Sequence, residues 1–248
     1  MLACLSLLIL AALPGATTSE ARHPDAVAIF DCQFDRAWDV NYDNWPDNWL
    51  RTLGPKLPHY VSVAIEPEQA DPTNRCLAVH VDGGGAHLGS PLVTVSDNFS
   101  YKAECRLRMA GLKYAKAQVR VEFYDDSNTC LQVASSDWQK CAPQADWVQL
   151  HIGPVNPTDP RITSARLVLH VAPVERADLS GQVFLDDVWM ARLPKMTVTT
   201  GNPYNVYTDK NDIQVTCDLS GILDSDPDIL FELLDASSQR LEGSRVQL

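Results

Sequence analysis

No run of lysine and arginine interrupts this chain of 248 residues, whose formal net charge is −12. A nucleic-acid binder needs a basic face to replace phosphate counterions, and a protein docked on anionic headgroups needs one too, so the sequence argues against both classes. No two cysteines have the two-residue spacing of a zinc knuckle. No Gly-x-Ser-x-Gly occurs, so the sharp turn that presents a hydrolase serine is missing. Gly83-Gly84-Gly85 is not followed by Lys-Ser/Thr and opens no helix, which excludes a phosphate loop and leaves a hairpin turn as the expectation. Histidines 59, 80, 87, 151 and 170 are scattered. The acid pairs Asp125-Asp126 and Asp186-Asp187 are adjacent in sequence, and neighbours on a strand point to opposite faces, so neither pair reads as a glycosidase couple. No catalytic residue is assigned.

The sequence also has no apolar run of the roughly 20 residues that a bilayer span needs. Leu2 to Leu13 is almost wholly apolar and is broken by Pro14-Gly15. That length fits the core of a signal peptide, with Ser19-Glu20-Ala21 offering small residues at the positions a peptidase reads. The segment before it lacks lysine and arginine, and a buried first helix is the competing reading. The expectation is an exported protein, secreted or at the cell surface: residues 1–21 are the leader, 22–28 a linker, and no membrane-spanning segment remains in the mature chain.

What fills the rest is alternation. Tyr101 to Met109 places Tyr101, Ala103, Cys105, Leu107 and Met109 on one face and Lys102, Glu104, Arg106 and Arg108 on the other. Val119-Val121-Phe123, Leu167-Leu169-Val171 and Leu77-Val79-Val81 repeat the pattern, and Trp147 to Ile152 and Gln182 to Leu193 complete it. Prolines fall at loop-like sites, and nothing after the leader has a helical period. Short strands with Gly/Pro punctuation predict an all-β fold, a jelly-roll sandwich over residues 29–194. Within it Cys105 is expected to be a buried small hydrophobe. Cys130 and Cys141 flank a polar loop and form the candidate disulfide, which would contribute about 2–3 kcal/mol by restricting the unfolded chain.

Leu193-Pro194 closes the last strand of that domain, and a second pattern begins at Met196. Thr197 to Thr199, Ile213 to Cys217 and Ile229 to Leu234 read as three strands and resemble the opening half of an immunoglobulin-like domain. About seven strands close such a sandwich. Residues 195–248 are therefore expected to be a partial domain, and the chain the N-terminal portion of a longer protein.

Between Ile29 and Pro194 the order of features resembles the jelly-roll carbohydrate-binding modules of secreted cellulases and xylanases. Phe30-Asp31-Cys32-Gln33-Phe34-Asp35 matches the family's opening strand, though without its glycine. Trp45 to Trp49 falls where the family has a Trp-containing loop. Cys76 to Val81 before the triple glycine, and Val183-Phe184-Leu185-Asp186-Asp187-Val188-Trp189 as the last strand, complete the series. The resemblance implies a non-catalytic module whose partner is a polysaccharide. It also implies a structural calcium ion held by Asp31 and Asp186, against the plainer reading of both as surface acids or turn formers.

Pyranose rings stack their C–H faces on aromatic planes while polar side chains read the hydroxyls. Trp38, Tyr42, Trp45 and Trp49 crowd a segment rich in Asp and Asn and form the first candidate for ligand contact. The alternative is that these rings cap one end of the sandwich core. Trp138, between Asp137 and Gln139, is the second candidate. Trp147 and Trp189 lie in regular strands and read as core. The expected function is polysaccharide binding. The alternatives are an adhesive sandwich that binds a protein, and the accessory region of a larger glycan-active enzyme.

Overall fold

The computed structural model of the chain describes residues 26–52, 61–68, 71–141, 146–173, 180–200, 202, 214–222, 228–234 and 237–247. The expected leader lies outside these residues. The chain divides into two compact units, a larger one of Ala26–Leu193 and a smaller one that includes Pro194–Leu248.

The larger unit is an antiparallel sandwich. One sheet, sheet A, contains β1 (Val27–Cys32), β3 (Val61–Pro67), β4 (Arg75–Val81), β7 (Phe99–Ala110), β11 (Val148–Val155) and the first part of β13 (Gly181–Thr200). Its order is β11-β7-β13-β4-β3, with β1 on β13. The other, sheet B, contains β2 (Leu50–Arg51), β5 (Ala86–Gly89), β6 (Val93–Thr94), β8 (Lys116–Tyr124), β9 (Cys130–Ser135), β10 (Gln139–Lys140) and β12 (Ser164–Ala172), in the order β10-β8-β12-β5-β2. Here β9 joins β8 and β6 joins β12. Successive strands repeatedly change sheet, from β7 to β8, from β10 to β11, and from β11 through β12 to β13. That alternation gives a jelly roll its two layers.

Period two in the sequence produced the core. Tyr101, Ala103, Cys105, Leu107 and Met109 of β7 meet Ala117, Val119, Val121 and Phe123 of β8 and Leu167, Leu169 and Val171 of β12 in one buried cluster. Cys105 is buried there, as expected, and burial pushes its thiol pKa up. Apolar burial of this kind contributes about 25 cal/mol per Å² and is the main favourable term for the fold.

Three local expectations are corrected. The triple glycine is not a hairpin turn: β4 before it lies in sheet A and β5 after it in sheet B, so the segment carries the chain between layers, with Gly83 at φ 78°. Cys130 and Cys141 do not form a disulfide, and among the described cysteines none is bridged. Cys130 pairs opposite Tyr124, whereas Lys140, next to Cys141, pairs opposite Lys116 at the other end of β8. At about 3.3 Å per residue the two anchor points are roughly 26 Å apart, beyond the reach of an S–S bond. Finally, β13 does not stop at Pro194 but runs on to Thr200. The missing N–H of Pro194 falls between two ladders, the β1 pairing that ends at Arg192 and the β14 (Val215–Ser220) pairing that starts at Lys195.

In the smaller unit Lys195 to Thr200 pairs with β14, and β15 (Asp228–Leu234) pairs with β16 (Arg240–Gln247) as a hairpin. β16 was not anticipated, because Arg240-Leu241-Glu242-Gly243-Ser244-Arg245 carries no apolar face to betray it. The described residues of this unit form these two ladders, and the immunoglobulin-like resemblance stays an expectation. Ile213, expected in a strand, lies outside the described residues.

Candidate functional site

The aromatic loop is a cap on the core. Trp49 is buried at 4% exposure, with its ring 5.3 Å from that of Phe34. Trp38 stands 5.4 Å from Phe30 and, like Trp45, packs against the main core. The Trp45 indole N–H donates to the Trp49 carbonyl at 3.3 Å. The polar residues between them are committed to local turns. Asp35 accepts from the Ala37 N–H, Asp43 from the Trp45 N–H and Asp47 from the Val40 N–H. Of the four aromatics only Tyr42 is open, at 75% exposure. Trp49 cannot reach a ligand, and Trp38 and Trp45 present at most a part of each ring. The sequence could not separate cap from platform, because the same Trp/Asp/Asn composition serves both.

Asp31 and Asp186 are not joined by a third carboxylate, histidine or cysteine into a metal cage among the described residues. Asp186 is fully buried where β13 leaves its pairing with β4 and joins β1, beside Asp187 at φ 50°. One of its oxygens accepts from Arg106 at 2.7 Å and from Asn74 at 2.9 Å. Arg106 also pairs with Asp187. Asp31 is exposed and accepts from Gln33 at 2.9 Å. Among the described residues no three His, Cys, Asp or Glu groups converge on a metal position. Calcium takes six to eight oxygens; here Arg106 offsets part of the Asp186 charge, while Asp186 Oδ1 has no hydrogen-bond partner among the described residues.

The Arg106 guanidinium belongs to a charged network on the outer face of sheet A. The Trp147 N–H donates to Glu68 at 2.5 Å, and Arg106 and Arg108 lie 5.0 and 5.2 Å from its ring centre. Arg108 also covers Phe184 at 4.2 Å. Burial pushes the Glu68 carboxyl up, but hydrogen bonds from Trp147 and Asn74, with the two arginines, hold it below the usual carboxylate range. Alternation suggested a core position for Trp147; it packs instead in a charged outer layer, against the small cluster of Cys76, Ala78 and Phe184. Trp189 is buried, as expected.

The outer face of sheet B is different. Its side chains come from β8 (Lys116, Gln118, Arg120, Glu122, Tyr124), β12 (Arg166, Val168, His170) and β5 (His87), and register lays them out in rows. Gln118, His170 and His87 sit directly opposite one another across three strands. Arg120 and Gly89 flank Val168 in the next row, and Glu122 faces Arg166 in the third. Gly89 leaves the space over which Arg166 lies, since a Cβ there would stand 3.0 Å from Arg166 Cδ. Trp138 folds over one end, with Lys116 Nζ 4.2 Å from its ring and His170 5.0 Å away, edge-on. His87 and His170 rings are 4.0 Å apart and line a recess of about 270 Å³ with Gly85 and Pro173.

Polar groups on this face are only partly satisfied. The Gln118 amide, turned with its oxygen toward Arg120, accepts from the guanidinium at 2.6 and 2.7 Å. Nδ1 of His170 is buried and has no hydrogen-bond partner among the described residues. Burial, then His87, Arg120 and Lys116, lower the His170 pKa to about 4; burial and Arg120 lower that of His87. At neutral pH both imidazoles are uncharged and can donate and accept.

A larger recess of about 750 Å³ opens by His80, Gly111 and Gln182, but no Trp, Tyr or Phe lines it. His80 there is engaged by Glu66 at 2.7 Å and Gln182 at 3.0 Å. The acids Asp125 and Asp126 hold turns: Asp125 accepts from Ser127 and Thr129, and Asp126 from Thr163. Sequence singled out Trp138 for its polar neighbours. It gave no reason to pick His87, His170 or Arg120, which alternation marks only as outward-facing.

No family model matches the chain, and no curated protein matches it. Among solved structures, one similar chain is a carbohydrate-binding module of the β-sandwich superfamily, at 16% identity and TM-score 0.45, covering 60% of this chain and 59% of that one. Another is the CBM22-1 xylan-binding domain from Paenibacillus barcinonensis, at 16% identity and TM-score 0.43, covering 68% of this chain and 96% of that one. A third is the K1 adhesin domain of Lys-gingipain from Porphyromonas gingivalis, at 13% identity and TM-score 0.40, covering 65% and 96%. Similarities of this size assign neither a family nor a ligand.

Proposed function

We propose that this protein is an exported, non-catalytic polysaccharide-binding module, and that the chain binds its glycan on the outer face of sheet B. The observation that carries the reading is the partly buried Trp138 ring beside a strand-borne row of His170 and His87, with the buried Gln118 opposite His170. A ring of this kind stacks on the C–H face of a sugar. The uncharged imidazoles and the Gln118–Arg120 pair supply fixed donors and acceptors for hydroxyls, and regular strands hold them with little freedom to lose on binding. The row structure suits an extended chain, because equivalent side chains recur every second residue along β8 and β12.

Affinity electrophoresis of the full chain against neutral and charged polysaccharides tests this. Retardation by at least one glycan is expected, with Trp138→Ala abolishing most of it while the melting temperature stays within a few degrees. Folded protein that no glycan retards would defeat the reading and favour a protein-binding sandwich. Retardation lost with Tyr42→Ala and kept with Trp138→Ala would move the site back to the aromatic loop.

A further inference from the structure

We propose that the sheet B face selects an anionic polysaccharide, one whose sugars carry carboxylate or sulfate groups; this rests on the reading that the face binds glycan at all. The chain as a whole is acidic, at −12. This face inverts that balance. Lys116, Arg120 and Arg166 project from it together with His87 and His170, whereas Glu122 is the one acid among the nine outward side chains named above. Glu122 is itself engaged, accepting from the Tyr124 hydroxyl and facing Arg166 across the ladder. Sheet A carries more acid: Arg106 has Asp186 and Asp187, and Lys102 has Glu104 at 2.9 Å, while Arg108 lies against the Trp147 and Phe184 rings.

No acid is paired with Lys116, Arg120 or Arg166 among the described residues' ion pairs. Lys116 and Arg166 instead lie against rings, Trp138 at 4.2 Å and Tyr124 at 5.4 Å. Arg120 is steadied by a neutral amide, which orients the guanidinium without neutralising it. Beyond burial, Arg120 helps to hold both histidines uncharged, and Lys116 acts on His170 as well; Glu122 opposes this at His87 without outweighing it. Concentrating uncompensated cations beside an aromatic platform, in a protein otherwise acidic, is what a polymer bearing fixed negative groups would meet favourably. A planar guanidinium takes a carboxylate or a sulfate through paired N–H bonds. A neutral glycan would take only hydroxyl hydrogen bonds from Lys116 and Arg120 and would leave their charge unmet.

The experiment uses the full chain with polygalacturonate, a sulfated galactan, neutral arabinoxylan and, as a non-sugar polyanion, polyglutamate. Binding to polygalacturonate or the sulfated galactan is expected, weakening with salt, and whichever is bound identifies the charged group. Lys116→Gln and Arg120→Gln should each weaken it about tenfold, the worth of one charge-assisted hydrogen bond. Circular dichroism of each variant separates lost binding from lost folding, and the conservative Arg120→Lys keeps the charge test independent of the Gln118 contact. Equal or tighter binding of arabinoxylan, unchanged by Lys116→Gln, would overturn the anionic preference and leave glycan binding standing. Polyglutamate bound as tightly as the glycans would overturn it too, because the face would then sense charge without sugar. No binding to any polymer would remove both readings.

Discussion

Single residues decide how charge is tolerated in this molecule. Asp186 is fully buried, and burial pushes its carboxyl above the usual range while the Asn74 amide and Arg106 act against that shift. Removing one partner of a buried pair costs about 3–5 kcal/mol, because a desolvated charge is left behind. Arg106 keeps 31% of its side chain in solvent, so Arg106→Met should fall near the lower end of that range by urea unfolding. Asp186→Asn combined with Arg106→Met should cost less than the sum of the two single changes. A chelator should leave the melting temperature unchanged.

The His87–His170 pair sets a pH dependence of stability. The unfolded imidazole of His170 titrates near 6.5 and the folded one near 4, so between those values the unfolded chain binds more protons. Stability then rises with pH across that window and is lost as the pH falls through it. His170→Asn should flatten the slope between pH 6.5 and 4 in thermal melts. Unchanged slope would show that other groups control acid unfolding.

At the scale of elements, the sheets depend on a few irregular positions. In β11 the pairing with β7 shifts register between Ile152 and Val155. Gly153 sits there at φ +99°, and a Cβ would stand 2.4 Å from the Tyr101 carbonyl oxygen. Gly153→Ala should destabilise by more than about 1 kcal/mol, since strain in the left-handed region adds to a clash with backbone that cannot swing aside. The measurement is the midpoint of chemical unfolding, with Gly243→Ala in the smaller unit as the contrast. There an added Cβ meets only the flexible end of Arg240. Such bulges are hard to see in a sequence: one glycine in a strand pattern looks the same whether it marks a kink or a loop.

On the scale of the whole molecule, burial is concentrated in one unit. Every described residue of β16 is exposed, whereas β7, β8 and β12 together supply thirteen of the thirty-four residues of the main core. Native-state hydrogen exchange should therefore find the slowest amides in β7, β8 and β12, and markedly faster ones in β14 to β16. Uniform protection across both units would contradict this.

Alternation determined by itself that the chain is a β-sandwich and which residues of β7, β8 and β12 face inward, because a strand's side-chain period is local geometry. Only the tertiary structure decided which outward residues assemble. It turned the Trp38–Trp49 loop into a cap, gave Asp186 an arginine partner, and set Cys130 and Cys141 at opposite ends of β8. It also brought His87, Gln118 and His170, distant in sequence, into one row beside Trp138. Alternation within one strand says which face a residue takes, but not which distant strand becomes its neighbour, and that pairing decides which outward residues share a row.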